Sequence, residues 1–271
     1  TIGLYDAPPL ARAWHTSFRP IPENMQFLDE TAWKAALADG SFDVVVAHNE
    51  MNAATLLGYD VPKILLCHNR KSFLRASIPP EDEEQRARFD SIIERFAEHV
   101  HFVYISESKR DDYGVPGRVI LPGIDVDDYG GYTGDTPAVL RVGNYMRARN
   151  RMFDVDFQET VLAGYPNRVV GDDPTIPDAR PSESFDQLRD CYRSHRCLLH
   201  VTREEWEDGY NLSMLEAMAC GMPVVSLANK TSPLTDGVDG FVSYDAEELR
   251  QRIQQLLDDR DLALEIGARG R

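Results

Sequence analysis

Basic residues are scarce in this sequence. Only 29 Lys and Arg stand against 45 Asp and Glu, a formal net charge of −16. A field of that sign repels polyanions, which argues against DNA, RNA and anionic lipid as partners. No run comes near the roughly 18–20 consecutive apolar residues of a membrane-spanning helix, and no basic start followed by an apolar stretch marks a signal peptide. The composition leaves peripheral membrane contact and oligomeric state open. Cysteine is rare: Cys67, Cys191, Cys197 and Cys220, none in CxxC spacing. Cys67 and Cys220 lie in apolar segments, so reduced buried thiols, no zinc site and a cytoplasmic location are expected. The chain opens on Thr1 rather than Met, so a missing upstream segment is expected.

What is present is enough for a real core: 271 residues, 42% of them apolar, the size of one large or two ordinary domains. Short apolar runs alternate with helical stretches. "DVVVAHN" (43–49), "KILLCHN" (63–69) and "VHFVYIS" (100–106) are almost continuously apolar, the signature of parallel strands covered on both faces. Helices are expected at "DETAWKAALADG" and at "PEDEEQRARFDSIIERFAEH", whose leading acids suit the helix dipole. Residues 114–137 are rich in Gly, Pro and Asp and read as a last strand and a linker. The pattern then restarts, with strands at "AVLRVGN", "NRVVGDD", "RCLLHVT", "PVVSLA" and "GFVSYD". Helices are expected between them, and a last one opens at Asp245 with Glu248 three residues on, a capping-box spacing. Two such series imply two doubly wound α/β domains, 1–127 and 128–271, facing a ligand cleft.

One stretch carries the chemistry: "EDGYNLSMLEAMACGMPVV", residues 207–225. A loop follows the strand "CLLHVT", and a helix begins near Leu212 and stops at Gly221. The first amides of that helix lack intrahelical partners and form a ready site for a diphosphate. Gly209 and Asn211 precede it, and Gly209 lets a ligand approach the backbone. Glu216, one turn in, can accept both hydroxyls of a vicinal diol such as a ribose. Asp208 can accept from sugar hydroxyls. The spacing Ser213 to Glu216 fits a capping box equally well, though it would leave a helix of only about two turns.

The same stretch resembles the donor-site motif of retaining glycosyltransferases of the GT-B fold, glycosyltransferase family four in particular: an acid, a G-aromatic-x-L segment, a glutamate eight positions on, then A-M-A-x-G-x-P-V. Asp208 stands where the family usually has Glu. "YISESKRDDYGVPGRVILPGID" and "PLTDGVDGFVSYDAEELRQRIQQLLDDRDLALEIGARGR" are similar to the family's segment at the end of the first domain and to its C-terminal run. "LRVGNYMRARN" occupies the place of V-G-R-L-x-x-x-K-G, with Asn144 for the usual arginine and Arg149 at the lysine. The resemblance spans about residues 40–271. The first domain is shorter than usual, and its glycine-rich acceptor-side loop is not visible.

The resemblance implies metal-independent transfer of a sugar from a nucleotide-sugar donor to an unidentified acceptor, with retention and without a cofactor. It implies Asp208, His68 and Arg149 as catalytic residues. It implies Glu216, Gly209, Tyr210, Asn211, Leu212, Arg147 and Gly143 as the donor-binding set. His68 ends the strand "KILLCH", where the family often places a histidine reaching the donor sugar; a strand-end histidine is also a common structural residue. His48 ends the preceding strand. Arg149 is the first candidate cation and Arg147 the second; the other reading of each is a solvated loop arginine. "DVD" occurs at 125–127 and 154–156, away from the donor motif, and chance explains it in so acidic a chain. "GDDPTIPDARP" (171–181) is either a loop near the nucleotide base or a plain connection. Two other functions fit: a GT-B-like protein that binds glycan or nucleotide without turnover, and a nucleotide-sugar epimerase.

Overall fold

The computed structural model describes residues 2–5 and 16–271, with side chains from residue 16 onward. The chain divides into two compact units, Thr1–Leu121 and Pro122–Arg271. Position 127 falls inside the second unit, in a 3-10 turn at Val126–Asp128.

In the first unit β1 (Ile2–Tyr5) pairs in parallel with β2 (Met25–Leu28). Helix α1 (Glu30–Ala38) follows, capped by Asp29, whose carboxylate accepts from the Ala32 N–H at 2.8 Å. Then come β3 (Val45–Ala47), α2 (Glu50–Leu56), β4 (Lys63–Cys67), α3 (Lys71–Ala76), α4 (Glu83–His99), β5 (His101–Tyr104), α5 (Glu107–Tyr113) and β6 (Arg118–Val119). Strands β3-β4-β5-β6 form one parallel sheet in that order, centred on buried Leu65, Phe96, Phe102 and Tyr104. Strand β3 departs from the expectation of full coverage. It lies at the sheet edge with fewer neighbours, and Val46 is 50% exposed there.

The second unit contains β7 (Thr136–Val142), α6 (Asn150–Phe153), α7 (Val155–Leu162), β8 (Asn167–Val170), α8 (Phe185–Ser194), β9 (His195–His200), α9 (Leu212–Cys220), β10 (Val224–Leu227), β11 (Phe241–Ser243), α10 (Ala246–Asp258) and α11 (Arg260–Gly270). Its parallel sheet has the order β11-β10-β9-β7-β8. Every residue of β9 is buried, as its apolar run predicts for a central strand. On α10, Leu249, Ile253 and Leu256 recur at helical spacing, and all three are buried against Val139, Val161 and Val225.

This strand order fixes where a ligand can bind. The chain leaves β7 for β8 on one side and later reaches β9 on the other. The loops after β7 and β9 therefore part at a topological switch point, where a crevice opens beyond the strand ends.

Candidate functional site

The loop after β7 is stitched to the loop after β8. The Gly143 N–H donates to Val170 O at 3.0 Å, and Asn144 Oδ1 accepts from the Asp172 N–H at 2.8 Å. Tyr145 takes a left-handed backbone conformation, φ 50°, which is uncommon for a side chain of its size. It is pinned at both ends: its N–H donates to Asp172 O and its hydroxyl to Asp172 Oδ2, each at 2.7 Å. Gly171, at φ 156°, admits no side chain, because a Cβ there would lie 1.9 Å from Gly143 O. Within the 171–181 connection, Asp173, Ile176 and Ala179 are buried, so much of it is packed structure.

The loop after β9 is held as firmly. Thr202 donates its hydroxyl to Asp208 O at 2.7 Å, and the Asp208 N–H donates to Glu207 Oε1 at 2.8 Å. Asp208 is 2% exposed. The Gly209 N–H donates to Thr231 Oγ1 at 2.7 Å. A Cβ on Gly209 would lie 2.7 Å from Ser232 N and 2.8 Å from Asn229 Cβ, so the loop's own packing requires glycine here. Tyr210 packs against the core and Leu212 is 52% exposed.

Helix α9 starts on Asn211, not Ser213. Asn211 Oδ1 accepts from the Met214 N–H at 3.0 Å and from the Ser213 hydroxyl at 2.7 Å. A box between Ser213 and Glu216 thus has no place in the structure, and Glu216 has other partners. Tyr129, just after the 3-10 turn, donates its hydroxyl to Glu216 Oε1 at 2.9 Å. Tyr192, on α8, donates to Glu216 Oε2 at 2.9 Å. Burial and the Glu216 carboxylate push the Tyr192 phenol well above its ordinary range, so it stays a donor.

The two candidate cations differ. Arg147 is paired with Asp156 at 2.9 Å and with Glu159. Arg149 makes no ion pair among the described residues. Its guanidinium lies over the Phe153 ring, 4.5 Å from the centroid, and contacts Met152 Sδ at 3.5 Å. Partial desolvation lowers its pKa from the ordinary value, opposed by the Glu207 charge.

Beneath the amino end of α9, a cavity of about 10 Å³ is lined by Arg141, His200, Asn211 and Ser213, among others. It has room for about one water. The buried atoms His200 Nε2 and Arg141 Nε have no hydrogen-bond partner among the described residues. Burial pushes the His200 imidazole down to about 4. Nothing in the local sequence pattern singles out Tyr129 or Tyr192; the signal for His200 is a histidine within the apolar run from Cys197 to Val201.

His68 stands in the first unit, just past β4. His48 Nδ1 and His68 Nε2 are 3.1 Å apart, and the rings stack with centroids 5.3 Å apart at 12°. Burial, His48 and the Lys109 charge hold the His68 pKa below its ordinary value, with Glu50 opposing. The DVD segments serve helix ends. Asp125 caps the 3-10 turn, and Asp154 caps α7 and pairs with Arg203 at 2.8 Å. Among the described residues, no group of three or more His, Cys, Asp or Glu is placed to hold a metal ion. No helix among them is long and apolar enough to cross a membrane.

Residues 171–259 match the model of the family described as Glycosyl transferases group 1. No curated protein matches the sequence. Solved structures do. TarM is similar at 15% identity and a TM-score of 0.64, over 84% of this chain and 50% of TarM. Sucrose-phosphate synthase from Thermosynechococcus elongatus is similar at 17% and 0.65, over 89% of this chain and 70% of its own. Anabaena HepE in complex with UDP-glucose is similar at 15% and 0.65, over 93% and 80%. The chain spans about half the length of TarM. The second unit thus carries the glycosyl transferases group 1 signature over residues 171–259, and the chain has the two-domain α/β GT-B fold of these glycosyltransferases.

Proposed function

We propose that the chain is a retaining glycosyltransferase that moves a sugar from a nucleotide-sugar donor to an acceptor and needs no metal ion. The observation that carries this reading is the carboxylate of Glu216. It sits inside an apolar helix beside a topological switch point, serves no helix cap, and is held by two tyrosine hydroxyls. That arrangement suits recognition of a ribose diol.

The other roles follow from charge. Arg149, which makes no ion pair among the described residues, meets the diphosphate together with the first amides of α9. Arg147 is drawn away by Asp156 and Glu159 and contributes less. Asp208 accepts from the transferred sugar, and His68 is proposed as a sugar contact on the resemblance alone. A cation and helix amides that meet the leaving diphosphate support a reaction without metal. The likeness of the Asp208–Glu216 spacing to retaining enzymes supports retention. HepE was solved with UDP-glucose, which makes uridine donors the first to try. All four cysteines are free and buried, which fits a reducing cytoplasm.

A second reading has one observation behind it. Asn144 replaces the usual arginine and commits its carboxamide oxygen to the Asp172 amide. The site then has one cation fewer, which favours nucleotide binding without turnover. A panel of nucleotide sugars, assayed for binding, nucleoside diphosphate release and epimerisation, separates the readings. Binding without release supports the second reading. Failure of every nucleotide sugar to bind overturns both.

A further inference from the structure

Arg141, on β7, is 6% exposed, and His200, which ends β9, is 4% exposed. Both line the cavity beneath the amino end of α9. Arg141 Nε and His200 Nε2 have no hydrogen-bond partner among the described residues. The rest of the guanidinium is engaged by neutral groups. One terminal nitrogen donates to Asn167 Oδ1 at 2.9 Å, and the other reaches Gln158 Oε1 at 3.5 Å. Arg141 makes no ion pair among the described residues. Glu159 favours its charge, but that carboxylate is paired with Arg147. A buried charge ordinarily has a counter-charge, because its desolvation is otherwise uncompensated. Other donors converge on the same place. Asn211 Oδ1 is committed to the Met214 N–H and the Ser213 hydroxyl, which leaves the Asn211 amide as a donor. The first amides of α9 carry the positive end of the helix dipole. Among the described residues no Asp or Glu lines the cavity, in a chain that has 45 of them.

We propose that this cavity is a binding site for one small inorganic anion, chloride in the first instance, with Arg141 as its counter-charge and Arg141 Nε and His200 Nε2 as its hydrogen-bond donors. An arginine Nε–H can only donate, and a neutral imidazole can carry its one proton on Nε2. Both nitrogens therefore suit a guest that only accepts. A water satisfies two donors but leaves the Arg141 charge uncompensated; an anion answers both. The space has room for about one water, so a phosphate group does not fit. The site is therefore separate from the diphosphate contact proposed at the same helix end, and it goes beyond the nucleotide reading.

The test is thermal melting without nucleotide at about pH 8, where histidine is neutral. Sodium chloride replaces sodium gluconate step by step at fixed ionic strength, so that screening stays constant. The melting temperature of the parent should rise saturably by about 2–4 °C. Arg141→Met keeps the bulk and removes the charge, and should abolish the saturable rise. His200→Phe removes one donor and should move half-saturation up by about ten-fold. A general effect of chloride on the fold would persist unchanged in both variants. If Arg141→Met fails to fold, Arg141→Lys takes its place: it keeps the charge, lacks the Nε–H and should also raise half-saturation. A parent without a saturable rise overturns the proposal, and a water then fills the cavity. Half-saturation that stays at the parent's value in either variant overturns the assignment to these two residues. No nucleotide enters the melts, so neither result bears on the reading of Glu216.

Discussion

Arg149 lies over the face of Phe153, 4.5 Å from the ring centroid, while two residues back Arg147 is neutralised by Asp156 and Glu159. An aromatic face holds a guanidinium in place without cancelling its charge. Arg149→Ala should therefore weaken a nucleoside diphosphate by about 1.5–3 kcal/mol, roughly ten- to a hundred-fold, and leave the free nucleoside almost untouched. Calorimetry with UDP and uridine reads the difference. Equal losses for the two ligands, or none, would make Arg149 a surface residue.

The backbone of the site should be intolerant at two glycines. At Gly209 an added methyl meets the backbone of Ser232 at 2.7 Å; at Gly171 it meets Gly143 O at 1.9 Å, on a left-handed backbone. Overpacking of this kind costs about 1–3 kcal/mol. Gly209→Ala should fall in that range and Gly171→Ala above it, since clash and backbone strain add there. Urea midpoints of the two variants check the order. Unchanged midpoints would mean that these loops relax freely.

Much of this architecture is legible in the sequence because central strands are buried on both faces. The runs that become β4, β5, β7 and β9 each carry an apolar stretch for that reason, with polar residues mostly toward their ends. The helices α2, α3 and α5 are six or seven residues long, too short for a periodic pattern to stand out, and they escape a reading by period. The Asp245 cap is present, but Glu248 does not close the box directly. The Asp245 N–H donates to Ser243 Oγ, and the Ser243 hydroxyl donates to Glu248. The site is legible only in part. Glu216 is conspicuous as an acid in an apolar helix, yet its partners Tyr129 and Tyr192 lie 87 and 24 residues away. No local spacing encodes a pair formed by tertiary packing.

His200 gives the second unit an acid-sensitive term. Its pKa is about 4 in the folded chain, below the ordinary 6.5, because burial disfavours the charged form. The unfolded chain therefore binds a proton between pH 6.5 and 4 that the folded chain refuses. Stability is constant above about 6.5, falls as pH drops through that window, and levels off below 4. The full loss is about 3 kcal/mol at most. His195 is also depressed by burial and adds to the slope, so the measurement is a difference. The stability of His200→Leu should fall less than that of the parent between pH 7 and 4 by up to this amount, read from urea melts. Parallel pH profiles would show that His200 is protonated in the fold.

The two acids Glu216 and Asp208 divide the work of the site. The ribose that Glu216 meets is the same in donor and product; the sugar that Asp208 meets leaves with the acceptor. Glu216→Gln should weaken nucleoside diphosphate and intact donor alike. The amide keeps one acceptor but turns an N–H₂ toward a tyrosine hydroxyl that itself needs an acceptor, so the clamp is lost with the charge. Asp208→Asn should spare the diphosphate and lower turnover of intact donor, because contacts to the reacting sugar strengthen in the transition state. Each loss should be about ten- to a hundred-fold, the worth of a hydrogen bond to a charged group. Asp208 is buried, so its variant is also followed by thermal melting. A melt like the parent's, with turnover lost and diphosphate binding kept, assigns Asp208 to the sugar. Loss of diphosphate binding in the same variant would assign it to the loop instead.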